Sequence, residues 1–283
     1  MSEGATALEQ LLALMARLRD PQTGCSWDCA QDFASISRHT IEEAYELEQA
    51  ISEMDAVRIR DELGDVLFQV VFHSRLAEER GWFDFAAVAT GMHDKLVARH
   101  PHVFGERGQQ DAAVLSASWE SIKRQERQRR GATGTLADVP SSFPALTRAS
   151  KLGGRAAQVG FDWVESDGAR RKLDEELAEF DAAAAADPGD SQYRQRLEDE
   201  LGDVLFCVVN VARHHELDAE SALRAANRKF ERRFAQMERL AAERGLVVAD
   251  LDPEAWEDLW QESKRSLARE AQPGFSSGSG SRG

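Results

Sequence analysis

The chain has 283 residues, enough for one large or two modest domains with a full core. Its 35 Lys and Arg against 50 Asp and Glu leave a net charge of −15, the wrong sign for a general nucleic-acid binder, which needs a basic footprint. No apolar run approaches the ~20 residues that cross a bilayer. Met1-Ser2-Glu3-Gly4 does not begin a basic-then-apolar leader, and Cys25, Cys29 and Cys207 include no Cys-x-x-Cys pair, which argues against zinc and for reduced thiols in a cytoplasm.

Helix formers dominate and β-branched alternation is nearly absent, so an all-α fold is expected. Leu8, Leu11, Leu12, Met15 and Leu18 trace an amphipathic stripe over 8–19 that stops before Pro21, and a loop follows through 24–28. Thr40 with Glu43 matches a capping box and predicts a helix start there. That helix is expected to end near 52–55 and the next to span about 56–80, where Gly81 breaks it. Further helices are expected over 85–99 and 115–129. The Gly-, Thr- and Pro-containing stretch 131–140 marks a boundary between a helical domain at 1–130 and another at 144–270, with 131–143 as linker. In the second half helices are expected over 169–186, from the break at Asp187-Pro188-Gly189-Asp190 through 215, over 218–244 and over 253–268. The Gly/Ser-rich 271–283 reads as a disordered tail.

One acidic pattern occurs twice. Glu42-Glu43-Ala44-Tyr45-Glu46 precedes Asp61-Glu62-Leu63-Gly64-Asp65-Val66-Leu67-Phe68, and Glu175-Glu176-Leu177-Ala178-Glu179 precedes Asp199-Glu200-Leu201-Gly202-Asp203-Val204-Leu205-Phe206. Within each copy Glu43/Glu46, Glu62/Asp65, Glu176/Glu179 and Glu200/Asp203 are pairs three residues apart, hence on one helical face. Glu43 with Asp65 and Glu46 with Glu62 are both symmetric about residue 54, inside the first expected turn. Glu176 with Asp203 and Glu179 with Glu200 are both symmetric about the 189–190 bond, inside the second. Two antiparallel hairpins would therefore set four carboxylates face to face in each half. Such crowding repels unless a cation offsets it, and carboxylate oxygens suit Mg²⁺ or, as a substitute, Mn²⁺. None of the seven His residues follows a Glu by three, so the Glu-x-x-His ligation of di-iron bundles is missing. Gly64 and Gly202 sit inside helices at about 1 kcal/mol each relative to Ala. Close backbone approach at a site explains that cost, with tight helix packing as the alternative. Beyond each acidic motif the helix turns apolar on every side, as in Val66, Leu67, Phe68, Val70, Val71 and Phe72, so the bundles should pack on one another, within the chain or between chains.

Cations and flat aromatics recur after each cluster. Lys95 and Arg99 follow the first, with Trp119 and Lys123 further on; Lys229 and Arg233 follow the second, with Trp260 and Lys264 further on, and each pair is four residues apart. Such sets can hold a polyphosphate and stack a base.

The paired Glu-Glu-x-x-Glu and Glu-Leu-Gly-Asp-x-Leu-Phe motifs resemble the MazG family of nucleoside triphosphate pyrophosphohydrolases, within the all-α NTP pyrophosphatase superfamily. The likeness extends to Arg17-Leu18-Arg19-Asp20-Pro21 with Gly24-Cys25-Ser26-Trp27-Asp28, to Arg99-His100-Pro101-His102-Val103-Phe104, to Pro144-Ala145-Leu146 with Val159-Gly160-Phe161-Asp162-Trp163, and to Asn227-Arg228-Lys229-Phe230-Glu231-Arg232-Arg233-Phe234. It runs from about Leu8 to Arg269 and is to the tandem-domain bacterial form. The resemblance implies Mg²⁺-dependent hydrolysis of NTPs and dNTPs to monophosphate and pyrophosphate by a cytoplasmic homodimer, with a toxin–antitoxin or stress-response protein as a further partner. It implies that Glu176, Glu179, Glu200 and Asp203 bind metal and carry catalysis, and that Lys229, Arg233, Trp260 and Lys264 contact the nucleotide. Catalysis in the tandem form is ascribed to the C-terminal half, yet Glu43, Glu46, Glu62 and Asp65 are equally complete here. His100-Pro101-His102 has no counterpart after Lys229. The alternative is a helical bundle that binds Mg-nucleotide or a partner without turnover.

Overall fold

The computed structural model of the chain describes residues 2–104, 122, 131 and 134–270. The helix expected over 115–129, except for residue 122, and the tail at 271–283 lie outside the described residues. The described residues form eleven α-helices and one 3-10 turn, with no strand among them. The chain is all-α. It divides into two compact units, residues 1–125 and 126–283.

In the first unit α1 is Glu3–Leu18, starting ahead of its apolar stripe because the Ser2 hydroxyl accepts from the Ala5 N–H. A short α2, Ser26–Ala30, occupies the stretch expected to be loop. The next helix, α3, is Phe33–Glu53, and it corrects the capping expectation. Asp32 and Ser35 exchange the capping hydrogen bonds, while Thr40 lies two turns inside the helix. Met54 reverses the chain with φ of 55°, and Asp55 caps α4, Ala56–Glu79, through the N–H groups of Val57 and Arg58. Gly81, with φ of 68°, follows it, then α5, Phe85–Arg99, and the short α6, Pro101–Phe104. The α3–α4 hairpin is the spine, with α1 and α5 packed on α4. Met15, Ile36, Val71, Phe72 and Leu76 form its core, ringed by Leu11, Leu12, Phe33, Phe68 and Phe85.

One charge is built into that core. Arg19 is 7% exposed, and its guanidinium donates to both Glu79 oxygens at 2.8–3.2 Å and to the carbonyls of Asp28 and Gln31. This fork ties the end of α1 to α2 and to the end of α4, and satisfying most of its donors is what makes a buried cation tolerable.

The second unit begins with α7, Ala145–Ala157, unforeseen in the sequence reading, then α8, Ser166–Ala184, and α9, Tyr193–His214. The α8–α9 turn is shaped by Asp187, accepting from the Gly189 N–H at 2.8 Å, and by Asp190, accepting from the Gln192 N–H at 2.9 Å. The helix α7 packs on α9 where Gly153 meets Asn210; a Cβ there would lie 2.6 Å from the Asn210 Oδ1. Asp162 clamps the end of α9, accepting from Arg213 at 2.6 and 2.8 Å and meeting His214 at 3.1 Å. Then come α10, Ala219–Glu243, a 3-10 turn at Val248–Asp250, and α11, Pro253–Glu270. The last two helices close over Met237, Ala241 and Leu259.

Within its own unit neither α4 nor α9 is covered on every side. Leu63, Leu67 and Val70 are exposed along α4, and Leu201, Leu205 and Val208 along α9. Both triplets have spacings of four and three, so each is a single apolar stripe. Tight packing within each unit does not explain Gly64 and Gly202 either, because a Cβ at either position would meet no atom within 4 Å.

Candidate metal centres

Each hairpin presents acidic side chains from both helices at one level. From α3 comes Glu43, from α4 Glu62 and Asp65, and one carboxylate oxygen from each lies within 4.8 Å of the others. The second hairpin repeats this with Glu176 from α8 and Glu200 and Asp203 from α9, again within 4.8 Å. The fourth member of each expected set, Glu46 or Glu179, is exposed and stands outside the tight three.

Crowding is visible in the protonation of these groups. Burial first, then the charges of Asp65, Glu46 and Glu62, pushes the Glu43 carboxyl above the usual range. Glu62 is raised by desolvation and by Glu46, with Arg58 opposing. Glu179 is raised first by the charge of Glu176 and then by desolvation, with Lys172 opposing. Carboxylates that repel one another in this way, with no nitrogen or sulfur donor among them, suit a hard divalent cation.

The two centres differ in their immediate support. Lys172 reaches Glu175 at 2.6 Å and Glu176 at 2.7 Å, and Glu176 is 5% exposed. The matching position in the first hairpin is His39, whose Nδ1 meets Glu42, not Glu43, at 2.7 Å. Beneath the first cluster, the hydroxyl of Thr40 lies 3.0 Å from His73 Nε2 and 3.4 Å from the buried Gln69 Oε1, and burial lowers the His73 pKa. Register in the second hairpin places Leu173, Cys207 and Val211 at those positions. The sequence reading missed this polar trio; its one signal is Gln69 interrupting an apolar run.

The cationic and aromatic candidates are brought together only in part. Arg233 on α10 lies over the Trp260 ring of α11, 6.0 Å from its centroid, and Phe230 stands 5.5 Å from the same ring. Lys229 is exposed one turn before Arg233, and Lys264 is half-buried one turn after Trp260. Lys95 and Arg99 are half-buried on α5, whereas Trp119 and Lys123 lie outside the described residues. Among the described residues no ion pair links Lys95, Lys229, Arg233 or Lys264 to a cluster carboxylate.

The MazG nucleotide pyrophosphohydrolase domain matches residues 31–104 and again residues 166–237, once over each hairpin. The chain belongs to the MazG family. It is an enzyme of that hydrolase family, and each MazG match encloses one full set of four carboxylates. Lys229 and Arg233 fall inside the second match, whereas Trp260 and Lys264 lie beyond it. The chain is 45% identical over 258 residues to the nucleoside triphosphate pyrophosphohydrolase of Escherichia coli K12, covering 91% of this chain and 97% of that one. A Thermotoga maritima protein named nucleoside triphosphate pyrophosphohydrolase/pyrophosphatase MazG is 40% identical over 264 residues, covering 93% and 98%. An uncharacterized Bacillus subtilis protein is 40% identical over 257 residues, 91% of this MazG chain but 51% of its own length.

Proposed function

We propose that the chain hydrolyses nucleoside and deoxynucleoside triphosphates to the monophosphate and pyrophosphate, with Mg²⁺, or Mn²⁺ in its place, held by the hairpin carboxylates. The observation that carries this reading is the pair of acidic triads, each drawn from both arms of a hairpin to within 4.8 Å inside a MazG match. In the second unit Glu176, Glu200 and Asp203 hold the cation, which when bound cancels polyphosphate charge and polarises its oxygens. Glu179 stands beside the triad with a raised pKa and accepts a proton from the attacking water at its carboxylate. Arg233 and Lys229 donate to the departing pyrophosphate, and Trp260 stacks the base. Glu43, Glu62 and Asp65, with Glu46, form a second cation site in the same chain, served by Lys95 and Arg99.

The active form is a cytoplasmic homodimer whose second copy covers the apolar stripes. Leu63, Leu67 and Val70, with Leu201, Leu205 and Val208, are exposed in one chain, and stripes of that kind mark protein–protein contact. Leu205→Glu is expected to shift the sedimenting species towards the monomer; an unchanged mass would remove the second hairpin from the interface.

The deciding experiment incubates purified protein with each NTP and dNTP, with Mg²⁺ or with chelator, and identifies the products. Monophosphate plus pyrophosphate, lost with chelator, is the expected result. Diphosphate plus phosphate would overturn the reaction, and metal-dependent nucleotide binding without any product would favour a sensor.

A further inference from the structure

The two acidic clusters share their carboxylates but not their charge. In the second, the Lys172 ammonium sits 2.7 Å from Glu176, the most buried carboxylate of either cluster, and 2.6 Å from Glu175. Both contacts lie along one helix, at spacings of four and three, so Lys172 is held by the backbone that carries its partners. In the first cluster the equivalent His39 turns to Glu42, and Arg58 is paired with Glu53. Glu43 therefore faces Glu62 and Asp65 within 4.8 Å, and among the described residues no cation pairs with it. A carboxylate withdrawn from water needs a compensating charge; at the buried Glu176 the chain supplies one, and at the half-buried Glu43 it leaves the place open.

We infer that Lys172 is the built-in counter-ion of the second cluster, which a divalent cation has to displace, so that the two clusters bind free divalent cation unequally, the first more tightly. The inference rests on the proposed reading of both clusters as cation sites. Entry of a cation at the second cluster has to break two charge-assisted hydrogen bonds and work against a positive charge close to a shared ligand. The first cluster imposes no such exchange.

The test is Mn²⁺ binding without nucleotide, followed by electron paramagnetic resonance of the free ion, in the full chain. With the first cluster disabled by Glu43→Gln, Glu62→Gln and Asp65→Asn, Lys172→Met is expected to tighten binding about tenfold, and Lys172→Arg to leave it weak. With the second cluster disabled by Glu176→Gln, Glu200→Gln and Asp203→Asn, His39→Lys is expected to weaken binding by a similar factor. This second arm keeps the inference testable should Lys172→Met fold poorly. Unchanged or weaker binding in Lys172→Met, or an unaffected first cluster in His39→Lys, overturns the counter-ion role while leaving both cation sites standing. An absence of Mn²⁺ binding at both clusters with Lys172 and His39 intact, or replaced, removes the underlying reading itself.

Discussion

Register the two hairpins on their carboxylates and the interiors beneath them agree at the buried Val71 and Val209 but diverge at several neighbouring positions. Where the first buries Phe72, the second buries Asn210; Gln69 and His73 are answered by Cys207 and Val211, and Thr40 by Leu173. The first hairpin packs α4 against α1 through an apolar core, whereas the second packs α9 against α7 through a glycine contact and a polar clamp. The two share the acidic level, the exposed stripe beside it and the buried valine at 71 and 209. The comparison teaches that the acidic level recurs in both hairpins while much of the packing beneath it changes. The layers below answer only to the local neighbours that each hairpin must bury.

The largest expected effect breaks that comparison in the core. Phe72 is wholly buried, so Phe72→Ala should cost about 3–5 kcal/mol through the cavity it leaves, read from urea unfolding. Asn210→Ala removes one hydrogen bond to Arg213 and relieves the contact with Gly153, and should cost about 1 kcal/mol. Equal losses would mean that the two interiors are energetically alike.

At the acidic level, Glu176→Gln with Glu179→Gln is expected to lower pyrophosphate release by about 100-fold or more, the scale for removing charged groups that stabilise a transition state. Glu43→Gln with Glu46→Gln should lower it less if turnover belongs to the second unit. Comparable losses would make both hairpins catalytic.

A smaller effect separates the clamps by pH. The Arg213 guanidinium holds Asp162 at about 2, below its ordinary 3.8. A depressed carboxyl pKa contributes stability above the unfolded value and loses it as pH falls through the folded one, here from about 4 to about 2. Asp162 is exposed, so solvent screening holds the contribution to about 1 kcal/mol at neutral pH. Asp162→Asn should flatten that part of the acid-unfolding curve for the second unit; an unaltered curve would discard the clamp as a source of stability.

The smallest concerns the helix glycines. With open space at their Cβ positions, Gly64→Ala and Gly202→Ala should each raise stability by about 1 kcal/mol in a monomeric background such as Leu205→Glu. A fall in the melting temperature only in the oligomer would place a neighbouring copy against these turns.

Local pattern alone determined the hairpins of this protein. Helical period, the breaks at Met54-Asp55 and at Asp187-Pro188-Gly189-Asp190, and carboxylates symmetric about those turns require only that neighbouring residues share a backbone. Thr40 with Glu43 does not start α3, because Asp32 and Ser35 exchange the capping hydrogen bonds further upstream and the Thr40 hydroxyl turns to His73 across the hairpin. The short helices α2 and α6 carry too few residues for a period to register, and α7 was overlooked although its apolar face is marked. Helix spacing makes Lys172 a neighbour of both Glu175 and Glu176. That it serves the buried carboxylate, while His39 serves an exposed one, was decided by which oxygens tertiary packing removes from water. Whether the stripes of α4 and α9 are covered was likewise a tertiary matter, because an apolar sequence records that a face avoids water and not whose surface shields it.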